Sequence, residues 1–387
     1  MSAASSATGP PATGPLAGHR VLDLTNVIMG PYATQILADQ GADVIVVEPR
    51  SGDTNRLMGP GPHPQLSGIS LNLMRNKRSV TLDLKSPAGR DAVRRLLTTC
   101  DAVVASYRPG ALRRMSLDYA RARELRPDVV YCQGQGFPLD SDRADEPAYD
   151  DIVQAASGLA DAAARVSGTP ALLPTILADK VCGLVMAQAV TAALLHRERT
   201  GTGQHVEVPM VEAMRSFVLV EHGAGAIAQP PVADAGYPRI LSPHRRPQRT
   251  LDGWISVLPY APGHYADLFA EAGRRDLAND PRYADRRAAI RHSDSLYRDV
   301  AEVMGTRTTG EWLGFCATAG IPASAVATLD EIVAELPTTD HPAAGSHRVI
   351  PPPARFSRTP SSVRRGAPLI GQDTDEVLAE LERSGAC

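Results

Sequence analysis

The chain has 387 residues, 43% of them hydrophobic, and a net charge of −3, which is ample for a packed core and long enough for two domains. The near-balance of charge leaves no electrostatic footprint for nucleic acid or a membrane surface, so any anionic ligand has to be met locally. Five scattered cysteines without a C-x-x-C pair argue against a disulfide framework or a zinc knuckle and fit a reducing cytoplasm.

Residues 1–16 form a Ser/Ala/Gly/Pro tract that lacks the basic start and apolar run of a signal peptide, and a disordered tail is expected there. RVLDL at 20–24 reads as a short buried strand, 25–31 as a loop, 32–39 as a helix ended by Gly41, and DVIVVE at 43–48 as the next strand. Strand, helix, strand in this order indicates a parallel sheet with crossover helices. No G-x-G-x-x-G follows the first strand, so a nicotinamide-dependent oxidoreductase loses its main support. The alternation continues with a strand at 79–84, a helix at 86–99 with Pro87 in its first turn, and strands at 102–106 and 128–133.

Ligands of open parallel sheets gather beyond the carboxyl ends of the strands. Two basic loops are assigned to that edge, RNKR at 75–78 and YRPG at 107–110, with Arg113 and Arg114 just beyond. One such arginine alone reads as solvated surface. Together they suit a multiply phosphorylated ligand, with guanidinium forks for phosphate oxygens and Tyr107 as an aromatic face.

The longest apolar helix is expected at 180–195, with almost no polar face and therefore buried on most sides. Arg197 and Arg199 complement the negative end of its dipole, and Gly201 and Gly203 stop it. Cys182, Gly183 and Gln188 interrupt its apolar run, so no membrane span is expected. Asp179 stands at its entrance, where free N–H groups favour a carboxylate. Two readings are open: an N-cap, for which Asp is a preferred residue, or a nucleophilic carboxylate at the mouth of a buried core.

A helical stretch at 211–228 leads into a Pro-rich linker at 229–248. A smaller domain follows, opened by GWISVL at 253–258, with helices at 264–273, 296–304 and 308–319, the last capped by Thr308 and turning Trp312 and Phe315 inward. Turns fall at 280–283 and 320–322, a second Pro-rich crossing at 337–360 and a terminal helix at 373–383. The expected organisation is an α/β large domain at 17–228, an inserted small domain at 249–336, and a return through 337–387. The ten histidines offer no H-x-x-x-H or neighbouring Cys/Asp set for a metal, and no Ser nucleophile elbow is present.

An ordered set of segments carries a family resemblance: LAGHRVLDLTNVIMGP, GADVIVVEP, LNLMRNKRSVTLDLKSPAGR, YRPG, EPAYDDIVQAASGL, ADKVCGLVMAQAVTAALLHRERTGTGQHVEVPM, and TLDG near Asp252. From about Leu16 to near the C-terminus the chain resembles the class III CoA-transferases, the CaiB/BaiF family. The resemblance implies a Rossmann-like parallel sheet with an inserted smaller domain, and an interlocked homodimer of ring-shaped chains. It implies that Asp179 is a covalent nucleophile that attacks an acyl-CoA thioester, with CoA as cosubstrate and no permanently bound cofactor. On that reading Val27, Ile28, Met29, Arg50, Arg75, Asn76, Lys77, Tyr107, Arg108, Arg114 and Tyr149 hold the CoA, and the partners are an acyl-CoA and a carboxylic acid, with no nucleic acid or membrane.

The same family contains α-methylacyl-CoA racemases, which resemble this chain around Asp179 but use a His before the Q-A-x-S-G stretch and a Glu before the D-G pair. Here those places hold Tyr149 and Arg249, neither an equivalent base at neutral pH. Some members also carry a glycine run over the aspartate. Here only His222-Gly223-Ala224-Gly225 stands, which reads as helix or turn packing. Two alternatives to the transferase are an acyl-CoA isomerising enzyme and a non-catalytic acyl-CoA-binding dimer in which Asp179 only caps its helix.

Overall fold

The structure is a computed structural model and describes residues 13–385. The chain divides into two compact units. One runs up to Ser157 and takes in Leu173–Phe217 and the chain from Leu336 onward; the other comprises Gly158–Leu172 and Val218–Glu335.

The first unit is built on strands β1 Arg20–Leu24, β2 Asp43–Glu48, β3 Lys77–Thr81, β4 Ala102–Ala105, β5 Val130–Gln135 and β6 His205–Pro209. Between them lie α1 Met29–Asp39, α2 Gly68–Leu73, α3 Pro87–Thr98, α4 Pro109–Met115, α5 Tyr119–Leu125 and α6 Asp150–Ala156. Helix α7, Leu159–Ser167, belongs to the second unit, and α8, Leu177–Thr200, returns to the first before α9, Met210–His222. The strands pair in the order β3-β2-β1-β4-β5-β6, every neighbour parallel. Strands covered on both faces have to be nearly all apolar; hence the buried runs of β1, β2, β4 and β5 that the sequence displays. The order reverses between β1 and β4, which makes the crevice at their carboxyl ends the topological switch point.

Several boundaries differ from expectation. Helix α1 starts at Met29 and not near residue 32, because Pro31 falls in its first turn, where a missing N–H is not needed. Strand β3 starts two residues early, at Lys77, and β5 ends at Gln135. Strand β6 was not anticipated; it is an edge strand, and its half-exposed HVEVP lacks the continuous apolar signal. Of the expected tail, residues 1–12 lie outside the described residues. Leu16 is buried and its N–H donates to the Gln40 carbonyl at 2.9 Å, so the fold begins before the expected boundary.

Helix α8 corrects one expectation. It buries one face, including Ala178, Cys182, Met186, Val190 and Leu194, and leaves Leu184 and Leu195 exposed. At 24 residues it is also long and apolar enough to cross a membrane by length and composition, the interruptions notwithstanding, with half of that window buried in protein.

In the second unit, β7 Gln248–Arg249, β8 Trp254–Val257 and β9 Ala323–Ala325 form an antiparallel sheet in that order. Helices α10 Pro262–Glu271, α11 Arg275–Ala278, α12 Arg286–Arg291, α13 Ser293–Met304, α14 Thr309–Ala319 and α15 Leu329–Ala334 surround it. Its core gathers Ile255, Phe269, Leu296, Met304 and Trp312; the Trp312 indole N–H donates to the Met304 carbonyl at 2.9 Å. Thr308 caps α14 as its T-x-x-E spacing predicts. The segment 222–225 ends α9 and enters a short 3-10 turn, as expected.

The return through the Pro-rich stretch contains an unexpected hairpin, β10 Thr338–His341 with β11 Gly345–Arg348. The chain closes with α16, Thr374–Arg383, whose Val377 and Leu381 join the core beneath β1 to β5.

Candidate active site

The loop after β1 is held by three side chains from three strands. Asp23, the fourth residue of β1, accepts the Thr25 N–H at 3.0 Å and the Thr25 hydroxyl at 2.5 Å. Ser106, just past β4, accepts the Asn26 N–H at 3.1 Å. Asp53, past β2, accepts the Val27 N–H at 3.2 Å and the Asn55 N–H at 2.8 Å. Val27 has φ +65°, a left-handed conformation that a β-branched residue adopts only under constraint, at a cost of about 1–3 kcal/mol. Burial pushes the Asp53 carboxyl up to about 6; the two backbone N–H groups oppose this and the Asp23 and Glu48 charges reinforce it.

Asp179 occupies the third position of α8, not its cap, which is Ile176. The capping role comes from elsewhere: Asp150, the first residue of α6, accepts the Asp179 N–H at 3.1 Å. The amide of Gln154 donates to the other Asp150 oxygen at 2.6 Å, and its carbonyl accepts the Leu173 N–H at 2.9 Å. One helical turn of α6 thereby ties down the segment that enters α8. Among the described residues nothing donates to the Asp179 carboxylate oxygens, although the residue is only 7% exposed. Burial, and secondarily the charge of Asp150, pushes its carboxyl up to about 7. A buried carboxylate without partners is destabilised in its charged form and correspondingly basic.

Helix α8 meets the start of α1 at Gly183. A Cβ there would lie 2.7 Å from the Met29 carbonyl oxygen, so only glycine lets α8 touch the start of α1. Asp179 stands four residues before this contact, about 6 Å along the axis.

Sequence-predicted residues divide into two groups. Val27, Ile28 and Met29 lie at the carboxyl end of β1, Arg50 is exposed two residues past β2, and Tyr107 and Arg108 follow β4. Tyr107 is half-buried; burial, then the charges of Asp53, Asp23 and Glu48, pushes its phenol up to about 12, so it remains a neutral donor. Arg114 is exposed in the last turn of α4, and Tyr149 is 63% exposed immediately before Asp150.

Arg75, Asn76 and Lys77 are not at this edge. Arg75 and Asn76 precede β3 and Lys77 is its first residue, in register with Val44 near the start of β2, so the cluster lies at the amino ends of the strands. The Arg75 guanidinium is spent on Asp39 at 2.6 Å, Asn72 at 2.8 Å and the Ile350 carbonyl at 2.6 Å. The Asn76 amide donates to Asp39 and to the Ser362 carbonyl, both at 2.8 Å. Lys77 is fully buried, its ammonium 3.0 Å from Asp23 and 2.7 Å from the Thr34 hydroxyl. These three anchor the fold and Lys77 is closed to any ligand, while Arg75 also lines one large cavity together with Ile28 and with Ile176 and Lys180 at the start of α8.

Sequence reasoning missed Asp53, Ser106, Asp150 and Gln154 as parts of the site. The i, i+4 spacing of Asp150 and Gln154 placed them on one helix face, but their partner Asp179 lies 29 residues on. No group of three metal-ligating side chains occurs among the described residues.

A family model described as CoA-transferase family III matches residues 16–374. The succinate–glutarate CoA-transferase of Agrobacterium fabrum is 33% identical, covering 95% of this chain and 96% of the relative. The probable fatty acyl-CoA transferase of Mycobacterium tuberculosis is 32% identical, covering 94% and 98%. A crystal structure of a CaiB/BaiF family protein from Brucella suis superposes with a TM-score of 0.81 at 27% identity, covering 95% of this chain and all of that one.

Proposed function

Since the chain belongs to CoA-transferase family III and is a CoA-transferase, we propose that Asp179 is its covalent nucleophile. The observation that carries this reading is the buried Asp179 carboxylate that accepts no hydrogen bond among the described residues. A structural carboxylate in that position would be paired.

An Asp179 oxygen attacks the thioester carbonyl of an acyl-CoA; the C–S bond breaks, giving an acyl-aspartyl anhydride and CoA thiolate. The thiolate then attacks the aspartyl carbonyl, releasing the donor acid and leaving CoA as a thioester on Asp179. The acceptor carboxylate attacks this thioester, expelling thiolate and forming a second anhydride. Attack of the thiolate on the acceptor's acyl carbonyl gives the new acyl-CoA and restores Asp179. One exchange between two carboxylates is thus divided into acyl transfers of similar energy. Burial of Asp179 supports it by raising the basicity of the nucleophile.

CoA lies along the carboxyl edge of the sheet, its phosphates met by the exposed Arg50, Arg108 and Arg114, with Tyr107 and Tyr149 lining its path and the rigid loop Val27, Ile28 and Met29 against the thioester. The pinned left-handed Val27 supports a loop built for one conformation. The exposed Leu184 and Leu195 of α8 support a homodimer, and the free thiols of Cys100, Cys132, Cys182 and Cys316 support a reducing cytoplasm. Racemisation gains no comparable support: Tyr149 is a solvent-exposed phenol, and the Arg249 guanidinium is stacked 5.4 Å from the Trp254 ring centre.

Asp179→Ala and Asp179→Asn are expected to abolish CoA exchange while the proteins stay folded and bind acyl-CoA. Exchange at wild-type rate in either variant would remove Asp179 from the reaction.

A further inference from the structure

A donor-lined cavity lies wholly within the second unit, between the segment before α10 and helices α12 and α13. It is partly open and small, with about 30 Å³ available to the centres of water-sized groups. Arg239 lines it. The guanidinium's partners are phenols: its Nε donates to the Tyr297 hydroxyl at 2.8 Å, and Tyr237 is a second neighbour. It makes no ion pair among the described residues, so a half-buried cation faces the cavity without a counter-charge. Tyr265 and Ser293, both buried, also line it, and among the described residues neither hydroxyl has a hydrogen-bond partner. Tyr297 accepts from Arg239 and has its own O–H still to donate.

Among the described residues the one carboxylate in the lining is Asp285, one of whose oxygens caps α12 by accepting the Ala288 N–H at 2.8 Å. At the mouth, Arg286 donates to the Tyr260 hydroxyl at 2.6 Å and lies 4.7 Å from the centre of that ring. Burial pushes the Tyr265 phenol up to about 12, so it remains a donor at physiological pH. Four donor groups line one void, three of them hydroxyls that can also accept. A half-buried guanidinium without a counter-charge, flanked by hydroxyl donors, suits an anion.

We infer that this cavity is a binding site for the carboxylate of a small organic acid, held by Arg239 with Tyr265, Tyr297 and Ser293. Size selects the ligand class. A bound water needs on the order of 10–15 Å³ on this measure, so the cavity replaces about two waters, the number of oxygens a carboxylate brings. One carboxylate end fills that space while the rest of the acid extends through the partly open mouth, whereas a tetrahedral phosphate brings four oxygens to the same point and is expected to bind more weakly. The inference is independent of Asp179 and its chemistry, and it stands if that reading fails.

Titration calorimetry on the full chain, without CoA, tests it with succinate, acetate and inorganic phosphate as probes. Saturable binding of succinate and acetate is expected, with phosphate at least about tenfold weaker. Arg239→Gln should weaken the carboxylates by about tenfold or more, and the conservative Tyr265→Phe by a few-fold, as expected for one hydrogen bond to a charged group. Arg286→Gln, at the solvent-exposed rim, should change binding less than Arg239→Gln. Thermal melts of each variant verify folding. A raised KM for the acceptor acid in Tyr265→Phe would identify the site as the acceptor's; an unchanged KM with weakened calorimetric binding would identify a separate effector site. No binding to the wild type at millimolar carboxylate, or equal binding by Arg239→Gln and Tyr265→Phe, overturns the proposal.

Discussion

Replacing Asp179 with Asn should stabilise the protein, and the gain should grow with pH. In the unfolded chain the carboxyl titrates near its ordinary value of 3.8, and in the fold burial beside Asp150 moves it up to about 7. The fold therefore binds a proton that the unfolded chain has already lost between these two values. Below pH 4 both states are protonated and Asp179 costs nothing. Through the window up to pH 7 folding has to retain a proton against solution, and above pH 7 it has to bury the charge. At about 1.4 kcal/mol per pH unit the full penalty is about 4 kcal/mol above pH 7, against about 1.5 kcal/mol at pH 5. Asn is neutral throughout and escapes it. Thermal unfolding of wild type and Asp179→Asn, followed by circular dichroism from pH 5 to pH 8, should show the variant's advantage widening by about 2–3 kcal/mol, several degrees in Tm. A helix-capping Asp179 predicts the reverse, with loss of about 1 kcal/mol on truncation. A variant less stable than wild type at pH 8, or a gap independent of pH, refutes the reasoning.

Asp150→Asn should move the acidic limb of the activity profile to lower pH, because one source of the raised Asp179 pKa is removed; the limb should stay above the ordinary carboxylate range, since burial is the larger cause. Asp53→Ala should free Val27 from its left-handed conformation and raise the acyl-CoA KM more than it lowers kcat, in a steady-state assay. Lys77→Met should leave Asp23 buried without its partner and cost about 3–5 kcal/mol in denaturant titration; unchanged stability with weakened CoA binding would restore Lys77 to the ligand site. Gly183→Val should drive α8 off the start of α1, visible as a lowered Tm with loss of exchange activity.

The sheet was legible because its strands are buried on both faces and read as unbroken apolar runs; β1, β2 and β4 needed no other signal. Strand β6, at the edge, lacked that signal and was overlooked. The RNKR cluster was assigned to the wrong edge even with its strand placed at 79–84: residues that run into the start of a strand lie at its amino end, and Lys77 and Arg78 open β3 opposite the switch point. Composition could not tell a guanidinium waiting for phosphate from Arg75, already spent on Asp39. Asp179 was legible as a residue of interest, but its state was not. That state depends on Asp150 and Gln154, brought to the start of α8 only by the fold. The all-round apolar α8 misled in another way, since an apolar surface can remain exposed on one chain, as Leu184 and Leu195 do.

The central claim is tested most directly by trapping the intermediate. The enzyme is mixed with an acyl-CoA panel, quenched with hydroxylamine or borohydride, and read by intact-protein and peptide mass spectrometry. The account predicts a modification confined to Asp179 and absent from Asp179→Ala. Turnover of a donor with Asp179 unmodified at every time point would contradict it.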